Sequence, residues 1–133
     1  MMETGVVINT HHEPIFWHEP GGRSSGALPD SRALWDVLQQ ARRDGWLSGF
    51  AHTHPGDGQP HPSQEDMSSF TAIDNALGPM NWWIVNSKLT VLVRRSMMDS
   101  VPGREIYSIT RIADPVWTPD LRRRSGIGVH PYR

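Results

Sequence analysis

The chain of 133 residues contains no cysteine. This absence excludes a disulfide framework and any metal site built on thiolates, so a transition metal would have to be bound by imidazole and carboxylate groups. The chain also has little net charge: its formal value of −1 argues against a general nucleic-acid-binding protein, a class that presents a basic surface. It has no apolar run approaching the about 18 residues that cross a bilayer, and its start lacks a signal-peptide pattern. We therefore expect a soluble, cytoplasmic protein with neither membrane nor nucleic-acid partners.

The length fits one domain that spans residues 1–133 and is large enough to bury a hydrophobic core. There is no internal repeat. The segment 115–133 is rich in proline and arginine and carries little hydrophobic pattern, so we expect an irregular tail there. Its run of three arginines, residues 122–124, is expected to be solvated.

Hydrophobic patterning predicts strands and helices in mixed order, which favours an α+β fold with a mixed β-sheet flanked by helices. Asp30 is expected to cap the first helix, and Ser63 the second. Trp82 and Trp83 are neighbours in a strand, so one is expected in the core and the other on a second surface. The predicted strands lie near residues 5–9, 15–18, 46–54, 82–85, 89–94 and 105–112, and the predicted helices near 31–43 and 64–77.

Two histidines, His52 and His54, lie at the end of a predicted strand. Residues two apart on a strand point to the same face, about 7 Å apart along the backbone, so their imidazoles can converge on one ion. Pro55 favours an extended conformation at His54, which keeps the pairing intact. Two histidines at this spacing are common without a metal, so a third donor is needed to make the pattern specific.

The third candidate ligand is Asp66, which shares a helix face with Phe70, Ile73 and Leu77. A carboxylate on a core-facing stripe costs several kcal/mol to bury unless it is paired or bound to a metal. Taken alone, Asp66 near a helix start is as well explained by the helix dipole, and Ser63 by ordinary N-capping. The joint occurrence of these features in one short segment favours a metal site.

The segment that begins His52-Thr53-His54-Pro55 continues with seven residues and then Ser63-Gln64-Glu65-Asp66. It resembles the signature His-x-His-Pro, seven residues, Ser-x-x-Asp of the JAB/MPN (JAMM) zinc metalloproteases. The stretch Glu3-Thr4-Gly5 before an apolar strand is similar to the family's upstream glutamate segment. The matching elements run from Glu3 to about Val93, roughly two-thirds of the chain.

This resemblance implies a small single-domain protein of JAB/MPN, cytidine-deaminase-like architecture. It implies that His52, His54 and Asp66 bind Zn²⁺. By the same resemblance, Glu3 would be the general base and Ser63 would steady the oxyanion. The chain begins two residues before Glu3, whereas related domains have a helix and a strand there, so Glu13 and Glu19 stay open as alternative bases.

The function that the resemblance implies is zinc-dependent hydrolysis of an isopeptide or peptide bond at the C-terminal tail of a ubiquitin-like or sulfur-carrier protein. Its partners would be such a protein or its conjugate, together with activating or conjugating enzymes. The tail would be bound by β-augmentation, laid along a sheet edge.

Three other functions stay open. The first is a non-hydrolytic MPN module that binds partners, although such modules usually lack the ligand residues. The second is a different zinc hydrolase, for example a peptidase of phage tail assembly. The third is a nucleobase-deaminase-like enzyme, which in its usual form needs cysteine ligands that this chain lacks.

Overall fold

The computed structural model describes residues 1–98 and 101–127, which form an α+β fold of one six-stranded mixed sheet and three helices. The predicted mixed sheet with flanking helices is confirmed at this level. Among these residues, no helix combines the length and the apolar character needed to cross a membrane. The strands are β1 (Gly5–Asn9), β2 (Pro14–His18), β3 (Leu47–Thr53), β4 (Asn81–Val85), β5 (Thr90–Arg95) and β6 (Tyr107–Ile112), and the helices are α1 (Arg32–Arg43), α2 (Gln64–Leu77) and α3 (Thr118–Ser125).

The strand order in the sheet is β2-β1-β3-β4-β5-β6. All neighbouring pairs are antiparallel except β3 and β4, which are parallel. A parallel pair needs a crossover connection, and α2 supplies it. This crossover brings the start of α2 to the end of β3, and β1 lies on the other side of β3.

The sheet buries apolar side chains on both faces, as the adjacent Trp82 and Trp83 illustrate. Trp82 packs with α1 and α2 on one face, and Trp83 packs with Trp117 and Leu121 on the other. The prediction that the two tryptophans occupy different surfaces is confirmed, but both are buried, at 2 % and 5 % exposure. Trp83 is buried because α3 covers the second face of the sheet.

The helix α3 was not predicted, since residues 115–133 were expected to be irregular. A proline in its first turn is compatible with helix, and Gly126 follows its end with φ 74°. Its eight residues include a single buried large apolar side chain, Leu121, too few for a helical pattern to be visible. This helix is stabilised by its packing against the sheet, which a hydrophobic period in its own sequence does not reveal. Residues 128–133 of the expected tail lie outside the described residues.

Two further expectations need correction. Ser31, not Asp30, caps α1: its Oγ accepts a hydrogen bond from the Leu34 N–H at 3.0 Å, while Asp30 accepts one from the Ser31 N–H. Arg122 is not a solvated tail residue, because it pairs with Asp114 at 2.6 Å. The position of a cap and an ion pair between residues eight apart both depend on local geometry that composition does not specify.

Candidate metal centre

The two histidines project from the end of β3, next to β1. His52 lies opposite Gly5 of β1 and beside Ile84 of β4, in the middle of the sheet. The His54 N–H donates to the Val85 carbonyl oxygen at 2.9 Å, which extends the strand geometry by one residue. Both imidazoles therefore project toward the same side, as the spacing predicts.

Asp66 reaches the histidines from the first turn of α2, where it forms a capping box with Ser63. The Asp66 N–H donates to Ser63 Oγ at 3.0 Å, and the Ser63 N–H donates to Asp66 Oδ2 at 2.9 Å. This reciprocal pair fixes the direction of the carboxylate. Ser63 is therefore an N-cap, and the bond to its Oγ uses a lone pair, which leaves its own hydrogen to donate elsewhere.

The donor atoms of these three residues converge. His52 Nε2 lies 3.0 Å from His54 Nε2 and 3.2 Å from Asp66 Oδ1, and His54 Nε2 lies 2.9 Å from Asp66 Oδ2. A tetrahedral zinc ion with bonds of 2.0–2.2 Å holds its ligand atoms about 3.3 Å apart. The observed separations match that arrangement with only small adjustments.

Hydrogen bonding alone satisfies this cluster poorly. An imidazole Nε2 carries at most one hydrogen, yet His52 Nε2 and His54 Nε2 each face two acceptor or lone-pair sites. Burial would raise the pKa of Asp66, but hydrogen bonds from His52 and His54 outweigh it and hold that pKa well below its usual value. An ionised carboxylate with two imidazole nitrogens is a donor set suited to a divalent cation such as Zn²⁺.

Glu3 lies in the segment before β1, and this segment is held on both sides. The Glu3 N–H donates to the Ser24 carbonyl oxygen at 2.7 Å, and the Met2 N–H donates to the Ser125 carbonyl oxygen at 2.9 Å. The Thr4 N–H donates to Thr53 Oγ1 at 2.9 Å. These bonds fix Glu3 in spite of its place near a chain terminus, where fraying is common.

The Glu3 carboxylate is buried, with 8 % exposure, and faces the histidines. Its nearest oxygen and the donor nitrogens of His52 and His54 all lie within 4.8 Å of one another, a group that could hold a metal ion. Burial raises the pKa of Glu3, although attraction to the two histidines partly offsets this effect. The histidines therefore have two carboxylate neighbours, Asp66 in direct contact and Glu3 at longer range.

The alternative glutamates lie elsewhere. Glu13 accepts a hydrogen bond from the Asn9 side chain, at the end of β1 farthest from Gly5. Glu19 pairs with Arg124 at 2.7 Å and with Arg23 at 3.4 Å. The structure brings neither of them into the centre, whereas Glu3 lies beside the two histidines.

A polar cleft of about 290 Å³ opens on the solvent side of the cluster. Glu3, His54, Ser63 and Asp66 line it, together with the loop that contains Ser25 and Gly26. Of the residues expected to carry the chemistry, His52 is the one that does not line this cleft; the other four do.

Sequence reasoning missed the residues that support the centre, namely Thr53 and Ser125 behind Glu3, and Phe50 beside His52. A Cβ at Gly5 would collide with the Phe50 ring, whose centroid lies 6.3 Å from that of His52. A glycine inside a strand often marks such a close approach, so Gly5 was an available signal. Nothing in the sequence indicated the roles of Thr53 and Ser125.

No protein-family model and no curated protein matches this chain.

Proposed function

We propose that this chain is a zinc-dependent peptidase or isopeptidase of the JAB/MPN (JAMM) type, with His52, His54 and Asp66 as the metal ligands. The observation that carries the proposal is the convergence of the three side chains at 2.9–3.2 Å, with the buried Glu3 carboxylate beside them. A set of three protein ligands is typical of catalytic rather than structural zinc. The mixed sheet with helices on both faces is compatible with the architecture that the resemblance implies.

A bound zinc ion would supply Lewis acidity toward a carbonyl oxygen and would lower the pKa of water. Glu3 then accepts a proton from the attacking water at its carboxylate and returns it to the leaving amine, a contribution worth roughly 10²–10⁴-fold. The Ser63 hydroxyl donates a hydrogen bond to the oxyanion from the mouth of the polar cleft.

The placement of Glu3 favours an enzyme over a module that only binds partners. A buried carboxylate near two imidazoles is costly unless it has a role or a compensating charge. A module that only binds partners does not require a glutamate at this position. The burial of Glu3 beside the histidines therefore supports catalysis, whereas a solvent-exposed Glu3 would not.

The proposed substrate is the extended C-terminal tail of a ubiquitin-like or sulfur-carrier protein, or a conjugate of it. β2 is an edge strand, and its last residue, His18, lies opposite Gly5, which in turn lies opposite His52. The C-terminal end of β2 therefore lies two strand spacings, about 10 Å, from His52. An extended tail added to that edge could lead toward the metal centre by β-augmentation.

The test uses the zinc-loaded protein and two substrates, a folded ubiquitin-like protein fused through its tail to a reporter and an unfolded casein-like protein. We expect cleavage of the fusion at the end of the tail, abolished by a chelator and restored by Zn²⁺. The Glu3→Gln protein is the matched control, since it should keep the metal and lose the activity. Equal rates on the two substrates would contradict the proposed substrate class, and no chelator-sensitive cleavage of either would contradict the proposed peptidase.

A further inference from the structure

A second cavity, of about 170 Å³, adjoins the polar cleft at the metal centre. His52 and Asp66 form part of its wall. Its floor lies between α1, α2 and the sheet and consists of the buried side chains Leu34, Leu38, Phe50, Phe70 and Trp82. These five residues have no charged group, so the bottom of the cavity is apolar.

The cavity reaches the surface between α1 and α2. Exposed Ser69 and half-buried Leu28 and Ile73 stand at its rim. Leu28, Asp66 and Ser69 also line the polar cleft, so the two spaces meet along the metal centre. A peptide that crosses the centre can therefore lie in the polar cleft and place one side chain in the apolar cavity.

His18, which lines the cavity away from the metal centre, is also buried but does not make the cavity polar. Its Nε2 lies 2.7 Å from the Pro29 carbonyl oxygen, which can only accept, so the Nε2 hydrogen is used in that bond. His18 therefore leaves no unpaired Nε2 hydrogen inside the apolar part of the cavity.

The size of the cavity sets the size of its occupant. Protein interiors are close-packed and contain few voids larger than a water molecule. An apolar cavity of about 150 Å³ stays dry and binds benzene. A group of four to seven non-hydrogen atoms, such as a leucine, methionine or phenylalanine side chain, therefore fits a cavity of about 170 Å³.

We infer that this cavity, lined by Leu34, Phe50, Phe70, Ile73 and Trp82, is a specificity pocket for an apolar side chain next to the scissile bond. The inference rests on the proposed peptidase function and narrows its substrate class. A tail that offers only glycines around the bond leaves the pocket empty. The preferred substrate thus has an apolar residue on one side of the bond, whatever residue stands on the other.

The first experiment tests the pocket without metal or turnover. 4-Methylpentanamide, which carries the leucine side-chain shape, is titrated into metal-free protein and followed by NMR. We expect saturable shifts at the Ile73 and Leu34 methyl groups and at the Trp82 indole N–H. If the chemical shifts of these signals stay unchanged at every amide concentration up to its solubility limit, the proposal that this cavity binds an apolar side chain is overturned. This result is independent of whether the protein hydrolyses anything.

The second experiment tests the link between the pocket and the metal. N-acetyl-leucine hydroxamate and N-acetyl-glycine hydroxamate share the zinc-chelating group and differ in the side chain alone. Calorimetry with zinc-loaded protein should show about 10-fold or greater preference for the leucine compound, the effect of burying a leucine side chain. Equal affinities would overturn the assignment of the cavity as the pocket beside the scissile bond.

Variants on α2 test whether the preference for the leucine compound arises in this cavity. Ile73→Trp fills the cavity and should abolish the preference for leucine hydroxamate. Ala72→Trp adds the same side chain at an exposed position of the same helix and should leave that preference unchanged. Zinc content reports whether each variant folds. If Ile73→Trp does not fold, Ile73→Ala enlarges the cavity and should shift the preference from leucine toward phenylalanine hydroxamate. An unaltered preference in the folded Ile73 variant would contradict the inference.

Discussion

His52 Nε2 and His54 Nε2 lie 3.0 Å apart, and each also lies close to an oxygen of Asp66. Two imidazole nitrogens and the two carboxylate oxygens of Asp66 thus surround a point from which the three side chains could bind one ion. The capping box fixes the carboxylate before any ion arrives, and β3 fixes both imidazoles. The centre is therefore largely preorganised, which favours tight binding because little conformational entropy remains to be lost.

The first prediction concerns metal content. The purified protein should bind about one Zn²⁺ per chain, since the cluster supplies a single three-ligand set. His52→Ala, His54→Ala and Asp66→Ala should each lose most of the bound zinc, as measured by elemental analysis after dialysis. His61→Ala, which alters an exposed histidine of the intervening loop, is the control and should keep it. Full zinc content in His54→Ala would show that the ligand set is wrong.

The second prediction separates the two carboxylates. Glu3→Gln should keep zinc and fold, because glutamine has nearly the same shape and Asp66 still completes the ligand set. Its hydrolytic rate should fall by at least about 10²-fold, since the amide cannot accept the proton. Zinc content and hydrolytic rate, measured on the same Glu3→Gln preparation, distinguish a general base from a metal ligand. Loss of zinc in Glu3→Gln, with zinc retained in Asp66→Asn, would make Glu3 the ligand instead of Asp66.

The third prediction concerns Ser63, which can serve as a cap and as an oxyanion donor. Ser63→Ala should keep zinc, lose about 1 kcal/mol of stability and turn over roughly 10²-fold more slowly. Ser63→Gly also removes the hydroxyl but costs only a few tenths of a kcal/mol as a cap. Turnover should therefore fall equally in both variants while their unfolding free energies differ. Unchanged turnover in both would leave Ser63 with the capping role alone.

The fourth prediction concerns the pH dependence of stability and rests on Asp74, which is buried at 1 % exposure. Its carboxylate accepts hydrogen bonds from the Met80 N–H, the Trp82 indole N–H and the Tyr107 hydroxyl. Burial raises the pKa of Asp74 above its ordinary value of 3.8, and these hydrogen bonds only partly offset that effect.

The folded state therefore favours the protonated form of Asp74. The stability that this preference contributes is present below the unfolded-state pKa and is lost as the pH rises through the folded-state pKa. Asp74→Asn cannot titrate, so its unfolding free energy relative to the parent protein should rise between pH 4 and pH 7. Denaturant titrations at several pH values measure this difference. A difference that stays constant or falls across this range would contradict the raised pKa.

The local half of the centre could be predicted from the sequence. The spacing of His52 and His54 on a strand and the capping box of Ser63 and Asp66 are short-range features, and periodicity with propensity is enough to indicate them. The approach of β3 to the start of α2 also follows, because a helix that crosses over to a parallel strand must begin where the preceding strand ends.

The other half depends on contacts between residues far apart in the chain. Nothing in the Glu3 segment itself indicates that Thr53 and Ser125 hold it. The helix α3 has too few apolar residues to show a period, and packing against Trp83 explains its presence in the fold. The apolar cavity likewise lies where α1, α2 and the sheet meet, so it depends on the packing of these elements. Such features result from tertiary packing, which local patterns do not specify.

The bond from the Met2 N–H to the Ser125 carbonyl oxygen, with the contact of Thr53 Oγ1 to Ser125 Oγ at 2.9 Å, has a consequence for biosynthesis. The three residues of the proposed ligand set have all been synthesised by residue 66, but the segment that carries Glu3 gains its last support only when residue 125 has left the ribosome. A nascent chain can thus assemble the ligand cluster before its glutamate is fixed. The Glu3 segment would then gain its last support after the three-residue cluster has formed and after β6, the last strand of the described sheet, has been synthesised.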